Sequence, residues 1–96
     1  MRAIKKYCDE TFGHYVQIPN DLKALQTAVG GHIQAVPVRD DIAIICDEEG
    51  LIKGKEGNCT VCGIPFFGTI LAVGVKGEEF TDVNLNREEW EAMLAE

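Results

Sequence analysis

The nine residues from Ile42 to Gly50, IAIICDEEG, restrict this chain more than any other stretch. Five apolar residues, Ile42 to Cys46, are followed at once by three acids and a glycine. An unbroken run this rich in β-branched side chains reads as a central strand, buried on both faces. The acids and Gly50 return the chain to the surface in a turn. The rest of the sequence must therefore supply apolar cover for two faces.

The segments on either side supply it. Residues Met1–Cys8 mix Ala3, Ile4 and Tyr7 with lysines and predict a short first strand near a sheet edge. Asp9–His14 reads as a loop and Tyr15–Ile18 as a brief extended piece. Asn20 is placed to cap a helix of about three turns, with Asp21 suited to its positive end. Leu22, Leu25 and Val29 form its apolar stripe, while Lys23, Gln26 and Thr27 face outward. Gly30-Gly31 ends it. His32–Val38 predicts a strand in which Pro37 calls for an edge position, a bulge or the strand's end. Arg39-Asp40 then turns the chain into the central strand as an antiparallel hairpin.

Gly50–Gly57 reads as a mobile loop or a poorly formed hairpin arm and Cys59–Gly63 as a turn. Ile64–Val75 is a long apolar segment, interrupted at Gly68 where a bulge or close backbone approach is expected. Lys76-Gly77-Glu78 is a turn, and Phe80–Val83 predicts a short returning strand. Asn86 caps a last helix and Glu89, three residues on, completes a capping box. Trp90, Met93 and Leu94 are its apolar stripe. The expected fold is α+β, one domain over 1–96. It has a small, curved antiparallel sheet of four to five strands, Asn20–Gly30 packed across it, and Asn86–Ala95 as a C-terminal helix.

Charge narrows the function. Nine bases face sixteen acids, a formal net charge of −7. Arg2, Lys5 and Lys6 are the only basic cluster, too small for a phosphate backbone, so direct nucleic-acid binding is not expected. No apolar run reaches the length of a bilayer span and no leader sequence is evident, so a cytosolic, non-membrane protein is expected. Four cysteines in that compartment are thiols or metal ligands rather than disulfides.

The sharpest chemical feature is Cys59-Thr60-Val61-Cys62-Gly63, the spacing of a zinc knuckle. A complete site needs two further ligands, drawn from Cys8, Cys46, His14 and His32. The plainer reading is two ordinary thiols in a turn. Asp47-Glu48-Glu49 lacks the alternating oxygens of a calcium loop and reads as a solvated turn. The chain contains no serine, no phosphate-binding glycine motif, and no spacing that pairs a cysteine with a histidine. Catalysis is therefore not expected. Between Glu78 and Glu96 seven acids stand against one base. This is a solvated helix face or an imitation of the phosphate row of nucleic acid.

The helix LKALQTAVGG, the strand HIQAV, IAIICDEEG, a lysine- and glycine-rich loop reaching Asn58, and IPFFGTILAVG occur in an order that resembles the domain of unknown function 3846. The resemblance covers roughly residues 20 to 85. It rests on Leu25, Gln26, Val29, Gly30 and Gly31, on Glu48, Glu49 and Gly50, and on Asn58, Gly68 and Thr69. It implies a setting rather than a reaction: an accessory protein of a phage or mobile element in a bacterial cytoplasm. Among the matching positions Gln26, Glu49, Asn58 and Thr69 are not obvious core residues, and a ligand site would gather them. Cys59 and Cys62 depart from the family pattern, which argues against zinc.

The expected function is binding without chemistry. The protein sequesters a small nucleotide-like ligand, in which case a symmetric oligomer is expected, or it blocks a host defence protein. An acidic nucleic-acid mimic and a zinc-stabilised adaptor are the alternatives.

Overall fold

Two strands carry the sheet. The computed structural model describes residues 1–95. The elements are β1 (Arg2–Lys6), β2 (His14–Gln17), α1 (Leu22–Val29), β3 (Ile33–Arg39), β4 (Ile42–Asp47), β5 (Gly57–Val61), β6 (Ile64–Phe67), β7 (Ile70–Lys76), β8 (Glu79–Thr81) and α2 (Arg87–Leu94). The main sheet runs β2-β1-β7-β4-β3, with β8 also paired to β7, and every pairing is antiparallel. β5 and β6 form a separate hairpin. The six-stranded sheet exceeds the expected four to five strands because β2 and β8 are short additions.

Every residue of β4 is buried, as are Ile70–Gly74 of β7. Strand alternation sorts them into two cores. Ile42, Ile44 and Cys46 pack with Ile4, Ile70 and Ala72 under Trp90 and Met93 of α2 and Val61 and Phe66 of the hairpin. Ala43, Ile45, Leu71 and Val73 pack with Ala3 under Leu25 and Val29 of α1. The sheet is thus the middle of three layers. That is why β4 has no polar position before Asp47. Each buried isoleucine contributes about 1.5–3 kcal/mol.

β8 continues the line of β1 along the same side of β7. Ala72 pairs with Ile4 and Ile44, while Gly74 pairs with Thr81 and Ile42. The join is sewn by the Val83 amide on the Arg2 carbonyl and the Arg2 amide on Asp82. Gly74 is required here, since a Cβ would run into the Asp82 carbonyl. β1 is therefore one strand in from the edge. The edge falls to β2, which pairs with it over four residues.

Local rules place most element ends. Asn86 and Glu89 form the expected capping box. Gly30 takes the left-handed conformation at the end of α1, with φ 77°. The α1 cap is Asp21 rather than Asn20. Asp21 accepts the Ala24 amide at 2.8 Å, while the Asn20 side chain donates to the Phe80 carbonyl. Leu22 is 59% exposed, so the apolar stripe reduces to Leu25 and Val29. β3 is the outermost strand and slips register between Pro37 and Arg39, as proline demands. Arg39 remains in the strand, so the turn follows at Asp40-Asp41.

Cys59–Gly63 is not a turn throughout. Cys59 to Val61 belong to β5, and only Cys62 and Gly63 turn, with φ 48° and 83°. Two successive positive φ values fit a two-residue hairpin loop of type I′. Gly68, φ 78°, ends β6 and separates it from β7, so the long apolar segment is two strands in two sheets.

Candidate functional site

Asp47 and Lys55 organise the turn expected to be mobile. The Asp47 carboxylate is buried. It receives Lys55 at 2.7 Å, Lys53 at 2.9 Å and the Glu49 amide at 2.9 Å. Lys55 also donates to the carbonyls of Val29 and Gly30, at the negative end of α1. One lysine thus ties the turn after β4 to the end of α1. Hydrogen bonds from Lys55 and Lys53, then the Glu49 amide, hold the Asp47 carboxyl well below the usual carboxylate range against the opposing effect of burial.

A second knot lies at Asn58. Its Nδ2 donates to the carbonyls of Lys6 (2.9 Å) and Gly68 (2.8 Å), and its Oδ1 accepts from Lys6 Nζ at 2.6 Å. Asn58 thereby fastens the β5–β6 hairpin to the end of β1 and to the bend before β7. Lys6 lies on the same face of β1 as Ile4, toward α2, and is only 3% exposed. An ammonium has three hydrogens. Among the described residues one of them is used, and no carboxylate pairs with it.

Lys6 and Asn58 line an open cleft of about 500 Å³. Its walls are the loop after β1 (Glu10, Thr11, Phe12), strand β5 (Asn58, Cys59, Thr60) and the last turn of α2 (Glu91, Leu94, Ala95). The β1–β2 loop that forms one wall of the cleft is held by three side-chain bonds. Trp90 Nε1 donates to the Phe12 carbonyl at 2.6 Å. Glu10 accepts the Tyr7 amide at 2.9 Å and meets His14 Nδ1 at 2.8 Å. The Tyr7 amide first, and His14 and Lys6 after it, hold the Glu10 carboxyl below its ordinary range. Beside the cleft, across Phe12, is a hollow of about 30 Å³ lined by Tyr15, Arg87 and Trp90 among others, with the Arg87 guanidinium over the Phe12 ring.

Of the four polar residues expected to gather, Asn58 lines the cleft. The other three line neither cavity and lie around the Asp47–Lys55 knot. The Gln26 carbonyl accepts the amides of Gly30 and Gly31 at the end of α1. Glu49 is exposed in the turn, and Thr69 follows Gly68, which packs on the Lys55 chain.

Cys59 lines the cleft from β5, and burial pushes its thiol up despite the nearby Lys6 charge. Cys62 sits in the hairpin turn, where its amide donates to the Met93 carbonyl. Cys46 is a core thiol on the Gln34 carbonyl. Among the described residues no three Cys, His, Asp or Glu side chains come together to hold a metal ion. None of their helices is long and apolar enough to cross a membrane.

Sequence reasoning missed Lys6 and Phe12. The available signal for Lys6 was its spacing from Ile4, which puts a lysine on a core-facing position. Comparison with known proteins gives one match. A family described as domain of unknown function (DUF3846) matches residues 1–95. No curated protein and no solved structure matches.

Proposed function

The chain belongs to the domain of unknown function 3846 family, and from that premise we propose that it acts by binding, without chemistry, and sequesters a small nucleotide-like ligand in the cleft between α2, β5 and the β1–β2 loop. One observation carries this reading: a concavity of about 500 Å³ built on a buried lysine. Pockets for small organic ligands fall in this size range and use a few fixed polar groups on an apolar floor. Here Phe12 and Leu94 are apolar, while Lys6, Thr11 and Thr60 are polar. A cytosolic accessory role in a phage or mobile element is part of the same proposal, and it rests on the family resemblance.

The acidic-mimic alternative is less well supported. Two of the acids it needs are engaged internally: Asp82 with the Arg2 amide and Glu89 in the capping box.

Native mass spectrometry tests the reading on protein purified without added ligand. A companion mass of a few hundred daltons is expected. Thr60→Trp, an exposed position on the β5 wall, should fill the cleft and remove that mass while leaving the fold intact. A bare chain whose melting temperature no nucleotide or related metabolite raises would refute it.

A further inference from the structure

Charge around the cleft says more about what it selects. The Lys6 ammonium is buried, and one neutral amide oxygen is its sole acceptor among the described residues. No carboxylate among those residues touches it, and Glu10 acts on it only at longer range; a buried cation so weakly compensated is costly. An acidic group entering the cleft would supply the missing charge and acceptors. Two carboxylates limit how much negative charge can follow. Glu10 lines the cleft from the β1–β2 loop and Glu91 from α2. Glu10 gives one oxygen to the Tyr7 amide and the other to His14, which leaves lone pairs on both. The Glu91–Arg87 pair is long, at 3.3 Å, and Arg87 is largely exposed, so it screens Glu91 weakly.

We propose that the cleft selects ligands with a single acidic group, seated on Lys6, and hydrogen-bond donors that face Glu10 and Glu91. Nucleoside or sugar monophosphates have this pattern; polyphosphates do not. This rests on the cleft reading above and adds charge selection to it. The sugar hydroxyls of a monophosphate donate to the carboxylates, and its one phosphate accepts from Lys6. Each further phosphate meets two like charges, Glu10 and Glu91, on the walls of the cleft. The small hollow adjoins the cleft at Phe12, which lines both, and Arg87 stacks on that ring from the side of the hollow.

Isothermal titration of the full chain at fixed ionic strength tests this, with AMP, ribose 5-phosphate, ATP, adenosine and inorganic phosphate as probes. AMP and ribose 5-phosphate should bind at least tenfold more tightly than ATP, and adenosine should bind at least tenfold more weakly than AMP. Lys6→Met should abolish the advantage of AMP over adenosine. Lys6 also holds Asn58, so a second variant that leaves that knot alone is needed. Glu91→Gln, on the outer turn of α2, should bring ATP at least threefold closer to AMP.

The inference is overturned if ATP binds as well as AMP, if adenosine matches AMP, or if Glu91→Gln leaves the AMP-to-ATP ratio unchanged. Adenosine binding that Thr60→Trp abolishes, with no dependence on phosphate, would sink the inference and leave the cleft reading standing. If no probe binds, the inference fails. If the purified chain also carries no companion mass, the cleft reading fails with it.

Discussion

Replacing Asp47 with asparagine removes one charge from the middle of a three-part knot. The carboxylate is covered from solvent with Gly31 packed against it, but its two lysine partners remain partly exposed. The loss is therefore set by charged hydrogen bonds, about 1.5–3 kcal/mol, rather than by a fully buried ion pair. Lys53 is exposed and is assigned no share. Lys55, with its second anchorage on the Val29 and Gly30 carbonyls, carries the effect. Asp47→Asn should cost about 1.5–3 kcal/mol at pH 7. For a chain of this length 1 kcal/mol corresponds to roughly 5 °C in Tm, so a fall of about 8–15 °C is expected.

The pH dependence identifies the cause. The folded carboxyl titrates below its unfolded value of about 3.9. Its stabilisation is complete above that value and is lost as pH falls toward the folded one. The gap between wild type and Asp47→Asn should therefore be constant from pH 7 to about pH 5 and narrow steadily below about pH 4. Urea denaturation followed by circular dichroism measures both, with m unchanged if only stability moves. A loss under about 0.5 kcal/mol at pH 7, or a gap that does not narrow in acid, would refute this account of the turn.

Two further outcomes follow from the fold. Gly74→Ala places a methyl against the Asp82 carbonyl, so β7 and β8 must part at a cost of about 1–3 kcal/mol; an unchanged urea midpoint would show that the two strands are not packed as described. Incubation with a strong zinc chelator should leave Tm unchanged, because no third ligand joins Cys59 and Cys62 among the described residues; a cooperative loss of structure would restore the zinc-stabilised adaptor.

What could be read from sequence was local or symmetric. β4 was legible because burial on both faces removes every polar residue from its run. The α2 cap was legible because its two partners lie three residues apart. The α1 cap was misplaced by one residue, since Asn20 and Asp21 are both competent. The choice between them is made by the Phe80 carbonyl, sixty residues away. Cys59 read as turn because glycine and cysteine cluster there, but pairing with β6 extends the strand to Val61 and confines the turn to two residues.

The site was less legible for the same physical reason. Lys6 looks like one of three surface bases until Asn58, fifty-two residues on, closes over it. Asn58 stood out among the polar positions, yet sequence does not show that its side chain bonds to Lys6 at the end of β1 and to Gly68 before β7. The two roles are compatible. The bonds that fasten β5 also fix one wall of the cleft, and the same oxygen that holds the Lys6 ammonium leaves it short of acceptors. A rigid wall and an under-satisfied cation together lower the reorganisation that a ligand must drive on entry. A ligand on Lys6 binds only while the hairpin is fastened, so it disfavours hairpin opening, and hydrogen exchange at the β5–β6 amides should slow when a monophosphate is added. Slowing confined to the β1–β2 loop, with the hairpin unchanged, would place the ligand against Phe12 and away from Lys6.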